Sequence, residues 1–113
     1  MWRDPAWLLD MLLAARKARR FTTGIDWDGF QRSELHQQAV LRLLEIIGEA
    51  ARRVSAEAKS AHPEVPWAEL TGMRNRLVHE YFRIDLQKVW DTVQNNIPRL
   101  IASLEPLVPP EDR

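Results

Sequence analysis

The sequence predicts an all-α protein: an antiparallel bundle of four to five helices forming one domain over residues 1–113. Three observations carry this. Apolar residues recur at steps of three and four through most of the chain, the spacing of one helical face. No stretch shows the apolar-polar alternation of a half-buried strand. Proline and glycine cluster at a few short breaks, so long helices are joined by short connections and fold back on one another.

The first helix starts at Asp4-Pro5, with a capping carboxylate followed by proline at the first helical position. Trp7, Leu8, Met11, Leu12, Ala15 and Ala18 then mark its apolar face. It ends in Arg16, Lys17, Arg19 and Arg20, which either complement the negative end of the helix or present a basic patch to RNA or a partner. Thr22 to Gly29 reads as a turn region with two glycines and two aspartates, interrupted by a short helical piece around residues 27–32. The longest helix is expected from Ser33 to Ala61, with Val40, Leu43, Ile47, Ala50, Val54 and Ala58 on its main stripe. Leu44, Ile46 and Ala51 widen that stripe, so the middle of the helix is buried on more than one side. Gly48 costs about 1 kcal/mol of helix propensity against alanine, and its use there is to let another helix approach closely. Glu45 and Glu49, four apart, read as a solvated pair.

His62-Pro-Glu-Val-Pro66 breaks the chain, and a third helix begins near Trp67. Residues 82–84 form the next connection. Asp85 caps the last helix, whose face comprises Leu86, Val89, Trp90, Val93, Ile97, Leu100, Ile101 and Leu104. Pro98 falls inside that pattern and is expected to kink or split the helix. The tail after Pro109-Pro110 is expected to fray. Of the five tryptophans, Trp7, Trp67 and Trp90 lie on apolar stripes and read as core. Trp2 and Trp27 are free to serve a dimer or partner surface.

Composition narrows the function. Sixteen basic and sixteen acidic residues give zero formal net charge, whereas a non-specific nucleic-acid binder carries a basic excess. Any RNA contact must come from local patches or from a dimer that gathers them. The chain has no cysteine, which excludes disulfides, thiolate catalysis and cysteine-based zinc sites. The absence of a Glu-x-x-His pair removes support for a di-iron carboxylate bundle. No apolar run approaches the roughly 18 residues of a membrane span. The N-terminal stretch lacks a secretory pattern, so a cytoplasmic protein is expected.

The chemistry concentrates in residues 72–82, Gly-Met-Arg-Asn-Arg-Leu-Val-His-Glu-Tyr-Phe. Trp67, Leu70, Leu77, Val78 and Tyr81 share one side of the third helix, and Arg74 falls in the middle of it. A guanidinium on an apolar stripe requires a partner or a cleft. Arginine holds phosphate through two parallel hydrogen bonds, and histidine exchanges protons near neutral pH. Together they suit cleavage of an RNA phosphodiester, with Asn75 orienting either group and Tyr81 supplying a hydroxyl. On a straight helix Arg74 and His79 project about 140° apart. One site can include both only through converging side chains, a distorted helix or a second subunit. Taken alone, the spacing is also met by a buried ion pair at Arg74 and a helix-terminal His79. His36 and His62 read as surface or satisfied histidines.

Arg74-x4-His79-x-Tyr81, with Asn75 after the arginine, resembles the motif of the HepT-like toxins, a branch of the HEPN superfamily of helical ribonucleases. The likeness extends to Arg3-Asp4-Pro5, to residues 44–51, to His62-Pro-Glu-Val-Pro-Trp67 and to residues 85–98, and so covers nearly the whole chain. It implies a HEPN-type bundle that forms a homodimer, with motif residues of two subunits facing one cleft. It further implies a metal-independent RNA endonuclease needing no cofactor, the toxin of a type VII toxin–antitoxin pair. Its partner would be a minimal nucleotidyltransferase antitoxin (MntA) that silences it by AMPylation. By position, Arg74 and His79 would be catalytic, Asn75 would support them and Tyr81 would accept AMP. Glu80 departs from the small residue frequent in relatives and would repel RNA if it faced the cleft. The alternative is a non-catalytic helical binding partner of the nucleotidyltransferase.

Overall fold

The computed structural model describes residues 3–112, and among them there is no strand. Helix α1 runs Asp4–Phe21, α2 Trp27–Gln31, α3 Glu34–Arg53, α4 Ala56–Ala61, α5 Trp67–His79, α6 Leu86–Asp91 and α7 Ile97–Leu104. The expected all-α bundle is therefore what forms. The long central α3 packs against α1 on one side and α5 on the other, and α7 closes against α1. The molecule measures 41 × 30 × 19 Å, and the last figure matches two layers of helices. In a slab this thin, α5 keeps an outer face toward solvent.

The core lies where α1, α3 and the last helices meet. Met11, Leu12, Leu44, Ile47, Ile97, Leu104 and Phe30 are fully buried there. Leu44 and Ile47 on α3 are both fully buried, as its broad apolar stripe requires. Trp7, Trp67 and Trp90 pack on the edge of this core rather than inside it. Trp67 donates its indole N–H to the His62 carbonyl at 2.9 Å. Trp27 is partly buried and packs on the core, its ring 6.3 Å from that of Phe30. Trp2 lies outside the described residues.

Local chemistry sets most element ends. Asp26 accepts from Gly29 N, Ser33 from His36 N, and Asp85 from Gln87 N and Lys88 N. Gly24, at φ 84°, supplies the left-handed turn after α1. Before Pro98 the chain forms a π-helical turn, Thr92–Asn96, and Pro98 then sits in the first turn of α7. Proline there provides no N–H for the helix ladder and crowds the carbonyl four residues back, and the wider turn accommodates both. The last helix is split as its proline requires.

Three expectations are corrected. The N-cap of helix α1 is Arg3, and Asp4 is the first helical residue. Asp4 is buried, and it instead accepts from Ser55 N at 2.9 Å and Ser55 Oγ at 2.6 Å. The long helix does not continue to Ala61. Val54 turns extended, at ψ 141°, and Ser55 caps α4 through Ala58 N. The buried Asp4 carboxylate draws the Ser55 backbone out of the helical ladder, so a contact across 51 residues decides where α3 stops. Third, α5 ends at His79, and Tyr81–Arg83 form a 3-10 turn, so Tyr81 leaves the helical face shared by Leu70 and Leu77. The chain stays packed through the buried Val108, and Pro110–Asp112 form an exposed 3-10 turn.

The basic end of α1 is structural in part. Arg16 pairs with Glu105 at 2.5 Å, and Arg19 donates to the Val93 carbonyl and to Gln94 Oε1. These two cations fasten α1 to the C-terminal helices.

Candidate functional site

Arg74 lies where α5 approaches α3, and glycine makes that approach possible. A Cβ built on Gly48 would sit 2.3 Å from Arg74 Cβ and 2.7 Å from the Leu70 carbonyl oxygen. The second contact is with backbone, so α5 would have to move away to admit even a methyl group. Gly48 thus seats the root of the Arg74 side chain directly on α3.

The guanidinium is half-buried and held from two sides. Its Nε lies 3.2 Å from Glu49 Oε2, and its Nη1 donates to Asn75 Oδ1 at 3.1 Å. It lines a cleft between α1, α3 and α5 with Trp7, Asp10, Glu45, Glu49 and Val78. The apolar position of Arg74 is therefore satisfied by both of the devices such a position demands, a partner and a cleft.

Glu49 is partly solvated, as a surface carboxylate is, but it is also held by three arginines. Its Oε1 accepts from Arg52 Nη2 and from Arg53 Nε, each at 2.9 Å, in addition to the Arg74 ion pair. Hydrogen bonding from Arg52 is the main cause that holds its carboxyl well below the usual carboxylate range, at about 2. Partial burial opposes this, while Arg53 and the positive charge of Arg74 add to it. Three guanidiniums face one carboxylate here, while the cleft beside them is lined by Asp10 and Glu45 as well as by Arg42 and Arg74. Sequence reading missed the role of Glu49. The available signal was its position one residue from Gly48, where a second helix must come close.

His79 is the last residue of α5 and is exposed. Among the described residues its ring makes no hydrogen bond or ion pair. It lies five positions of regular helix beyond Arg74, so the two diverge by about 140°. The helix does depart from regularity, but only from Glu80 onward, too late to turn His79 back. One chain thus brings together Arg74, Asn75 and Glu49, and leaves His79 apart. Tyr81 begins the 3-10 turn, is 60% exposed, and stacks on the 83% exposed Phe82 with ring centroids 3.9 Å apart.

Glu80 lines a separate groove between α5 and α6, with Arg76, Arg83 and Lys88, rather than the Arg74 cleft. His36 is bonded to Ser33, and His62 lies 3.5 Å from Glu64. Neither approaches the site. Among the described residues no group of three His, Asp or Glu side chains is placed to hold a metal ion, and no helix is long and apolar enough to cross a membrane.

The comparisons with known proteins bear on the whole chain. The family model described as Ribonuclease HepT-like matches residues 11–107. The chain is 40% identical over 101 residues to "Probable ribonuclease HepT" of Thermococcus cleftensis, covering 89% of this chain and 92% of that protein. It is 39% identical over 100 residues to "Putative RNase MJ1380" of Methanocaldococcus jannaschii, covering 88% and 92%. No solved structure matches. With the family model spanning the bundle, and relatives aligned over almost their full length, this chain belongs to the HepT-like ribonuclease family.

Proposed function

We propose that this protein is a metal-independent RNA endonuclease that acts in the cytoplasm as the toxin of a type VII toxin–antitoxin pair. The observation that carries the proposal is the half-buried Arg74 guanidinium, held in a cleft by Glu49 and Asn75 within an Arg-x4-His-x-Tyr motif. A fixed guanidinium offers paired donors to a phosphate and stabilises the charge that develops on its oxygens. His79 takes the proton of a ribose 2′-hydroxyl or returns one to the leaving oxygen. Asn75 supports Arg74. The divergence of Arg74 and His79 within one chain favours a homodimer in which each site takes groups from both subunits. The chemistry of these groups requires no metal and no cofactor.

A minimal nucleotidyltransferase of the MntA type is the proposed antitoxin, and AMPylation of Tyr81 the proposed silencing step. Tyr81 projects into solvent, where a modifying enzyme can reach it. An added AMP would place a phosphate and a purine beside the motif and compete with RNA for it. The location of Glu80 in the other groove removes one objection to RNA at the Arg74 cleft.

The test is cleavage of RNA in EDTA by the protein expressed alone. Wild type is expected to cleave, and Arg74→Ala and His79→Ala are expected not to. An inert wild type, or variants as active as wild type, would end the enzyme reading. A second reading, a non-catalytic binding partner of the nucleotidyltransferase, is favoured by the same exposure of Tyr81. It predicts AMP on Tyr81 by intact mass with no RNA cleavage at any stage.

A further inference from the structure

A guanidinium that stabilises a phosphodiester transition state must present a defined edge, because its donors lie in one plane and only some pairs of them match two phosphate oxygens. Three contacts define that plane for Arg74. The close approach at Gly48 fixes Cβ and Cγ against α3. Asn75 Oδ1 takes one Nη1 hydrogen, and Glu49 faces Nε at 3.2 Å. What remains for a phosphate is the outer Nη edge. Glu49 cannot easily turn away, since Arg52 and Arg53 of its own helix hold the same carboxylate at 2.9 Å.

From this geometry we infer that Glu49 is a positioning residue for RNA cleavage: held by Arg52 and Arg53, it fixes the Arg74 guanidinium so that its Nη edge faces the substrate phosphate. The inference rests on the ribonuclease reading above. Glu49 touches no reacting atom, and it acts through Arg74 alone. Its negative charge does not help RNA to bind, because RNA is an anion. Its contribution is therefore to orientation in the transition state, and this separates positioning from a binding role.

The experiment compares wild type, Glu49→Gln and Glu49→Asp with two readouts. The first is kcat and KM for an RNA oligonucleotide in EDTA, scaled to the folded fraction. The second is the Nε–H nuclear magnetic resonance signal of Arg74, assigned by its loss in Arg74→Lys. Glu49→Gln is expected to lower kcat by about 10- to 100-fold, the scale of a misplaced catalytic group, with KM unchanged or lower. Its Arg74 Nε–H signal is expected to shift and to exchange faster with solvent. Glu49→Asp keeps the charge and is expected to recover part of both. Wild-type kcat in Glu49→Gln, a loss accounted for by unfolded protein, or an unchanged Nε–H signal would each overturn the inference. A wild type that cleaves no RNA instead sinks the ribonuclease reading, and the Nε–H signal then still decides whether Glu49 fixes Arg74.

Discussion

The two ends of the motif differ in how they are held. At Arg74 the side chain is half-buried and partnered by Glu49 and Asn75, and its root is set against Gly48. At His79–Phe82, less than two helical turns later, the side chains are exposed and the backbone passes into a 3-10 turn. Burial explains the contrast. A charge removed from water requires partners, whereas an exposed imidazole or phenol is already solvated. The Arg74 end is therefore finished within one chain. The His79–Tyr81 end remains open to a second subunit, to RNA or to a modifying enzyme. Preorganisation and access are placed at opposite ends of one short motif.

The sharpest break of this comparison separates activity from stability. Arg74→Ala and His79→Ala are each expected to lower RNA cleavage by about 10²–10³-fold. Only the first touches a partnered end, and its stability cost is expected to be about 1 kcal/mol or less, since the ion pair is partly solvated. His79→Ala is expected to stay within about 0.5 kcal/mol of wild type. Thermal melts beside cleavage rates check both, and a strongly destabilised His79→Ala would contradict the open end described here.

Next in size is Gly48→Ala. The new methyl group meets backbone on α5, so the helices must separate, at a cost of about 1–3 kcal/mol despite the better helix propensity of alanine. The same shift moves Arg74, and cleavage is expected to fall with the melting temperature. A stabilised Gly48→Ala would refute the close approach of α3 and α5.

The acid limb of stability gives a smaller effect. The Glu49 carboxyl is depressed from 4.5 to about 2 in the folded chain. A depressed acid stabilises the fold fully above its unfolded value, and that contribution fades as pH falls from 4.5 toward 2. Glu49→Gln is expected to flatten denaturation midpoints across this window and to leave the dependence above pH 5 unchanged. Midpoints measured from pH 5 to pH 2 test this. The smallest stability effect belongs to Tyr81→Phe, expected within about 0.5 kcal/mol of wild type. Its consequence is chemical: AMP incorporation by the nucleotidyltransferase is expected to vanish while RNA cleavage persists, as read by intact mass and the EDTA assay.

Much of this arrangement was legible in the residues. Asp85 caps as its side chain dictates, Pro98 splits the last helix, and Gly48 admits a neighbour. Each of these is a local property, or a demand that any neighbour must meet. Arg74 was recognisable for the same reason, as a cation where the helical period calls for an apolar residue. The misreadings share a different cause. Glu49 looked solvated because periodicity reports only which face of α3 it occupies, not that α5 lays an arginine across that face. Asp4 looked like a cap because aspartate before proline is a good cap; its use instead depends on Ser55, far along the chain.

The sequence by itself determined the helices, their apolar faces, most of their ends and the residues able to do chemistry, because these follow from side-chain type and a period of 3.6. Only the tertiary structure decided which of those residues meet. It ended α3 at Val54 through Asp4, gave Arg74 its carboxylate, and left His79 and Tyr81 in solvent, because contacts between helices depend on how the faces pack, and that is a property of the whole chain.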